Sequence, residues 1–277
     1  MNNLLTRCLT GFFFGLILIL SIYFGKYSFI ALFFLIMVLG LWEFYALSEK
    51  ANIKPQKISG VIAASVFYLI STLYLNRVIP GIYLIIPIPL FFLVFIFELF
   101  SKSDTPLVNI ATTLSGIFYI ALPFTLLSYL AYPPRQYPGF ELYKYNPHIL
   151  LGFFFIIWTN DSAAYLAGVK FGKHRLFERI SPKKTWEGWL AGAVFSLIAA
   201  YIISIYFIEL RLTEWLLIAA IIIVIGTLGD LVQSLLKRSV DVKDSGSILP
   251  GHGGILGRFD AVLLSAPFVF VYLQFLR

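Results

Sequence analysis

Residues 188–209 read GWLAGAVFSLIAAYIISIYFIE, 22 positions whose single charge is the last, Glu209. An α-helix rises about 1.5 Å per residue, so roughly 20 such residues cross the ~30 Å hydrocarbon core of a bilayer. Only helices and closed barrels satisfy their backbone there, and the sequence lacks the alternating ten-residue segments of a barrel. Eight further runs share this character, at 8–25, 29–47, 60–76, 78–100, 106–132, 148–168, 215–236 and 260–276. The expectation is an all-α, polytopic integral membrane protein with about nine transmembrane helices. Gly25 to Ser28 is short enough for a tight helical hairpin, and Asn76-Arg77 divides the third run from the fourth. Pro80, Pro87 and Pro89 predict a kinked fourth helix. The first run has the length of a signal sequence, but no small-x-small cleavage site follows it, so it is read as a helix. Residues 1–132 would form a scaffold of about five lipid-facing helices. Residues 133–277 would form a catalytic region of about four helices with two basic loops.

Composition agrees: 60% of residues are hydrophobic and 13% charged, against about 25% charged in soluble domains. Mean hydropathy is +0.88. A soluble globular protein, a disordered chain and a nucleic-acid-binding domain are excluded. The single cysteine, Cys8, excludes an intramolecular disulfide and a cysteine metal cluster. Between the runs, 15 of the 21 Lys and Arg fall in alternate segments beginning with the N-terminus. By the positive-inside rule these segments are cytoplasmic, and nine helices then leave the C-terminus outside a cell (inner or plasma) membrane. Ten of the 15 lie in two loops, 169–187 and 237–259.

A carboxylate inside a membrane helix faces the protein interior, a partner or a water-filled cavity. Asp161 and Asp230 are such residues, each roughly 10 to 12 Å below the cytoplasmic end of its helix at 1.5 Å per residue. Asp260 opens the ninth run on the same side. Each would cap a helix or pair with a nearby Lys or Arg, or else the three converge on a cation. Convergence suits a magnesium-nucleotide site, in which Mg²⁺ bridges substrate phosphates and Lys and Arg neutralise the remaining charge.

The second basic loop reads KDSGSILPGHGGI over 243–255. Gly246, Gly251, Gly253 and Gly254 let backbone amides approach an anion closely. Lys237, Arg238, Lys243, Asp244 and Arg258 flank or belong to it. His252 has two readings, an acid, base or phosphate ligand, or a hydrogen bond that holds the loop. The first basic loop carries Lys170, Lys173 and Arg175, which suit topology and anionic headgroups. Its end, Ser181-Pro182-Lys183-Lys184-Thr185-Trp186-Glu187-Gly188, reads as a site for a lipid or nucleotide phosphate.

At these residues the chain resembles the phosphatidate cytidylyltransferases, or CDP-diacylglycerol synthases. Their signature is matched by Ser234-x-Leu236-Lys237-Arg238, then Lys243-Asp244-x-Gly246, Leu249-Pro250-x-His252-Gly253-Gly254-Ile255-Leu256 and Gly257-Arg258-Phe259-Asp260. Asn160 to Tyr165 and Ser181 to Gly188 also resemble the family, whereas the N-terminal half matches only as hydrophobic helices. One position departs: the family has aspartate where this chain has Gly257, so the acidic end of the signature lacks one ligand.

The resemblance implies transfer of CMP from CTP to phosphatidate, giving CDP-diacylglycerol and pyrophosphate, with catalysis by positioning and charge neutralisation. Asp230 and Asp260 are the expected ligands for Mg²⁺, alone or with a second cation, and Asp161 supports them. Lys237, Arg238, Lys243 and Arg258 would hold phosphates. The 251–254 turn and Asp244 would line the nucleotide, and Ser181, Lys183, Lys184 and Thr185 would contact either substrate. Partners are then CTP, phosphatidate and membrane lipids, and a homodimer is compatible with this size. Two other readings stand beside this one: a CTP-dependent transferase or kinase acting on another membrane lipid, and a cation-coupled transporter using Asp161 and Asp230.

Overall fold

A computed structural model describes residues 3–132, 144–242, 244–246 and 253–276. Among them the long helices are α1 (Asn3–Tyr23), α2 (Lys26–Glu49), α3 (Lys57–Leu75), α4 (Pro87–Leu99), α5 (Pro106–Leu130), α6 (His148–Phe171), α7 (Trp186–Tyr206), α8 (Leu212–Arg238) and α9 (Leu256–Gln274). With the turn that precedes α4 included, eight segments are long and apolar enough to cross a membrane, and α1 adds a shorter apolar stretch, Thr10–Tyr23. The fourth run is not one kinked helix. A 3₁₀ turn (Gly81–Ile85) precedes α4, and Pro87 opens it at a position where the missing N–H would have no intrahelical acceptor. Helices α5 and α8 each contain a π turn, at Ile117–Ala121 and Ile222–Gly226.

The chain forms two compact units, one of Met1–Tyr129 with Ser239–Phe259 and one of Leu130–Arg238 with Asp260–Arg277. In the first, the Tyr45 ring lies where side chains at Gly60 and Gly116 would otherwise stand, and its hydroxyl donates to the Thr113 carbonyl at 2.8 Å. Phe259 packs its ring against Phe14 and Phe124. A buried polar knot fastens the loop after α2: Glu98 accepts from Gln56 Nε2 at 2.7 Å and Asn109 Nδ2 at 2.8 Å, and Asn109 Oδ1 accepts from the Lys54 N–H.

In the second unit α6 and α7 approach closely because Gly188, Gly192, Ser196 and Ala200 recur every fourth residue on the buried face of α7. A Cβ at Gly192 would stand 2.8 Å from Asn160 Oδ1, and one at Gly188 2.6 Å from the Ala164 carbonyl. Lipid tails are as apolar as leucine, so helices associate there through such close van der Waals contact. The segment between α6 and α7, expected as loop, is an antiparallel hairpin of β1 (Arg175–Phe177) and β2 (Ser181–Thr185), with Phe177 opposite Ser181. Helix α9 starts at Leu256, so Asp260 sits in its second turn and does not open it. The turn before α9 contains Gly253, at φ +76°.

Gly229 of α8 touches α9: a Cβ there would run into the Asp260 carbonyl and stand 3.2 Å from Leu264 Cβ. Backbone cannot move aside as a side-chain tip can. Gly229→Ala is expected to destabilise the protein by about 1–3 kcal/mol, the usual range for overpacking, read by thermal unfolding in detergent.

The link between α7 and α8 carries Glu209, fully buried. Its Oε1 accepts from Asn146 Nδ2 at 2.7 Å and pairs with His148 Nδ1, whose ring stacks on Phe207 at 4.6 Å. Burial alone would raise this carboxyl, but the bonds from His148 and Asn146 outweigh it and hold it below its ordinary value. A carboxyl lowered in the folded state contributes stability above its unfolded value of about 4.3, and that contribution is lost as pH falls through the lower folded value. Thermal unfolding from pH 6 to pH 3 is therefore expected to show an acid-side loss of stability that Glu209→Gln reduces.

Candidate active site

The second unit gathers the carboxylates. Asp230 lies one turn beyond the π turn of α8, and the close approach of Gly229 to the Asp260 carbonyl sets Asp230 beside Asp260. Asp161, Asp230 and Lys184 all lie within electrostatic reach of Asp260. Lys184, on β2, pairs with Asp230 Oδ2 at 2.5 Å. The other oxygen of Asp230 receives a long hydrogen bond from Ser234 at 3.4 Å, and Asp260 Oδ1 accepts from the Ala261 N–H at 2.8 Å.

The hairpin explains how a lysine reaches that carboxylate. Glu187, in the first turn of α7, accepts from the N–H groups of Lys173 and His174 and from the His174 ring, and so fixes the hairpin's first arm. Thr185, expected to contact substrate, is buried and caps α7 by accepting from the Gly188 N–H at 3.2 Å. Of the other residues expected here, Ser181 is half-buried and Lys183 exposed; at the end of α8, Lys237 is half-buried and Arg238 exposed. One turn from Asp230, Gln233 is fully buried, and neither atom of its amide has a partner among the described residues.

The glycine-rich segment belongs to the first unit. Asp244 and Arg258 are exposed there, and Gly253 rests against the Asp244 side chain, where a Cβ would stand 3.3 Å from Oδ1. Lys243 and His252 lie outside the described residues. A Cβ added at Gly257 would meet nothing within 4 Å, so the backbone there leaves room for a side chain to begin. The carboxylate that sequence reading passed over is Glu43. It is buried in α2, its Oε2 accepts from the Ile255 N–H at 2.7 Å, and Gly246 and Gly254 both stand against it. The signal was present, a charge inside the apolar run 29–47, by the rule that singles out Asp161 and Asp230.

Among the described residues no three His, Cys, Asp or Glu side chains are grouped to hold a metal by themselves. Magnesium does not require such a cage, since it is usually held by one or two carboxylates with waters and substrate phosphates. Asp230 beside Asp260, with Asp161 adding charge, fits an ion of that kind.

The sequence profile of the Cytidylyltransferase family matches residues 5–276. The phosphatidate cytidylyltransferase of Staphylococcus saprophyticus is 34% identical over 239 residues, covering 84% of this chain and 87% of the relative. That of Staphylococcus aureus is 36% identical over 184 residues, 66% of each chain. That of Bacillus subtilis is 49% identical over 119 residues, 43% of this chain and 44% of the relative. The profile takes in α2 with Glu43 as well as the helices that carry Asp161, Asp230 and Asp260, and the chain belongs to the cytidylyltransferase family.

Proposed function

We propose that this protein transfers CMP from CTP to phosphatidate, releasing pyrophosphate and leaving CDP-diacylglycerol in the membrane. The observation that carries this reading is the cluster of Asp161, Asp230 and Asp260 with Lys184 delivered to it by the hairpin, within a cytidylyltransferase. An oxygen of the phosphatidate phosphate attacks the α-phosphorus of CTP. A new P–O bond forms as the bond from the α-phosphorus to the bridging oxygen of the β-phosphate breaks, and that oxygen leaves with the pyrophosphate. No protein nucleophile is required, because phosphoryl transfer of this kind rests on alignment and charge neutralisation.

Asp230 and Asp260 are the residues that would hold magnesium, which when bound neutralises phosphate charge and orients the phosphates. Lys184 supplies a positive charge next to Asp230 and is suited to a substrate phosphate. Lys237 and Arg258, in the signature segment, are assigned to phosphates by the same chemistry. The basic loops are assigned to the cytoplasm, where CTP is found, because 15 of the 21 Lys and Arg fall on that side of the arrangement read from the sequence.

The test is purified protein with labelled CTP, magnesium and phosphatidate. Lipid-bound CMP is expected; a phosphorylated lipid without CMP would contradict the reading. Asp230→Asn is expected to lower turnover by at least about 10³-fold, in the range seen when a key electrostatic group is removed, while the protein stays folded. Gly257→Asp is expected to raise turnover or reduce the magnesium needed, since it restores the carboxylate found in the resembling family into open space. Unchanged rate and metal dependence would mean that a carboxylate at position 257 is dispensable here.

A further inference from the structure

Lys184 stands among the carboxyl groups of the second unit. Its Nζ lies 2.5 Å from Asp230 Oδ2, and it is also within electrostatic reach of Asp260. The other Asp230 oxygen has a weaker partner, the long bond from Ser234 at 3.4 Å. The strong donor to this carboxylate is therefore the lysine, and the same carboxylate is the one assigned to magnesium. An ammonium and a divalent cation repel, and a carboxylate that serves both brings their charges together.

The backbone around Lys184 is held in place. Thr185 is buried and caps α7, the Trp186 N–H donates to the His174 carbonyl at 2.9 Å, and Glu187 accepts from the His174 N–H and ring. The side chain has more freedom. It is 25% exposed, and a lysine carries its charge on a flexible four-carbon stem. A change of partner therefore needs a swing of the side chain and no movement of the hairpin.

We propose that Lys184 and the divalent cation compete for Asp230, so that Lys184 leaves the carboxylate as the cation binds and turns to a substrate phosphate. This rests on the reading that Asp230 holds the cation. Lys184 then opposes cation binding and assists the transfer, two effects of one side chain at two partners. Because linked equilibria are reciprocal, removing the ammonium must strengthen the hold on the cation.

The experiment measures cation binding apart from turnover. Mn²⁺ bound to the purified protein without nucleotide is counted by electron paramagnetic resonance, and the reactivity of each lysine toward an acetylating reagent is read by mass spectrometry. Lys184→Gln is expected to bind Mn²⁺ at least about fivefold more tightly, the low end of couplings between linked sites. Lys183→Gln, an equal loss of charge at the exposed neighbour, is expected to stay within about twofold. In the unaltered protein Mg²⁺ is expected to raise acetylation of Lys184 at least about threefold as its side chain shifts off Asp230, and CTP or phosphatidate added with Mg²⁺ to lower it again. Turnover of Lys184→Gln is expected to fall at least about 10²-fold, while the Mg²⁺ needed for half-maximal rate also falls. A merely structural lysine would not tighten cation binding as it slowed the reaction. Mn²⁺ affinity equal or weaker in Lys184→Gln, Lys184 acetylation indifferent to Mg²⁺, or acetylation lowered by neither substrate would overturn the proposal, and the acetylation arm needs no variant to fold. If Asp230→Asn binds Mn²⁺ as tightly as the unaltered protein, the cation assignment fails and the competition with it. Unaltered protein that meets the Mn²⁺ and acetylation expectations but forms no CDP-diacylglycerol would count against the substrate assignment alone.

Discussion

Hydrocarbon holds no water with which to hydrate a carboxylate, so every buried acid must be answered by the protein. Several of the answers here tie together segments apart in sequence. Glu98 is met by Gln56 and Asn109, which fastens the loop after α2 to α4 and α5. Glu209 is met by Asn146 and His148, which fastens the segment before α6 to the link after α7. Glu43 is met by the Ile255 amide, and the half-buried Asp230 by Lys184. In a chain that is 60% hydrophobic these polar contacts are few. Apolar packing brings helices together, but many registers would satisfy it; a carboxylate with one well-placed donor accepts far fewer.

Packing nonetheless decides how close the functional helices come. Beside the α6–α7 contact, bulky residues such as Leu166 and Phe195 face outward, where lipid tails are an adequate partner. Small residues face inward, and the α6–α7 approach at Gly188 and Gly192 and the α8–α9 approach at Gly229 bring backbone nearly against backbone. Asp161 leaves α6 next to Asn160, and Asp230 leaves α8 next to Gly229. The acidic residues therefore inherit their positions from the small ones beside them.

The helices were legible because a length of uncharged sequence is a direct physical requirement of the bilayer. Their ends were less so. Pro87 reads as a kink in a long run, yet it starts a helix, because nothing in the run itself says where the preceding turn stops. The hairpin between α6 and α7 has strands of three and five residues with several charges, too short and too polar to carry an alternating pattern. Asp161, Asp230 and Lys184 were legible as candidates because charge is rare here, and the meeting of Lys184 with Asp230 follows from the fold alone. Glu43 was overlooked since no motif surrounds it, and its partner is a backbone amide that no sequence pattern marks. Thr185 stands in a motif read for phosphate, and its helix-capping bond from the Gly188 N–H is a further role that the motif does not mark.

The π turn at Ile222–Gly226 gives α8 two angular frames on one axis. A π turn is in effect a single extra residue accommodated within an α-helix, and one residue corresponds to about 100° of rotation at 3.6 residues per turn. The stretch from Thr227 onward, with Asp230, Ser234 and Lys237, is thus rotated as a block relative to Leu212–Ile221, which packs through Trp215 and Ile218. The anchoring half of the helix and its acidic half can therefore change independently, because the bulge separates the phase that packing demands from the phase that chemistry demands.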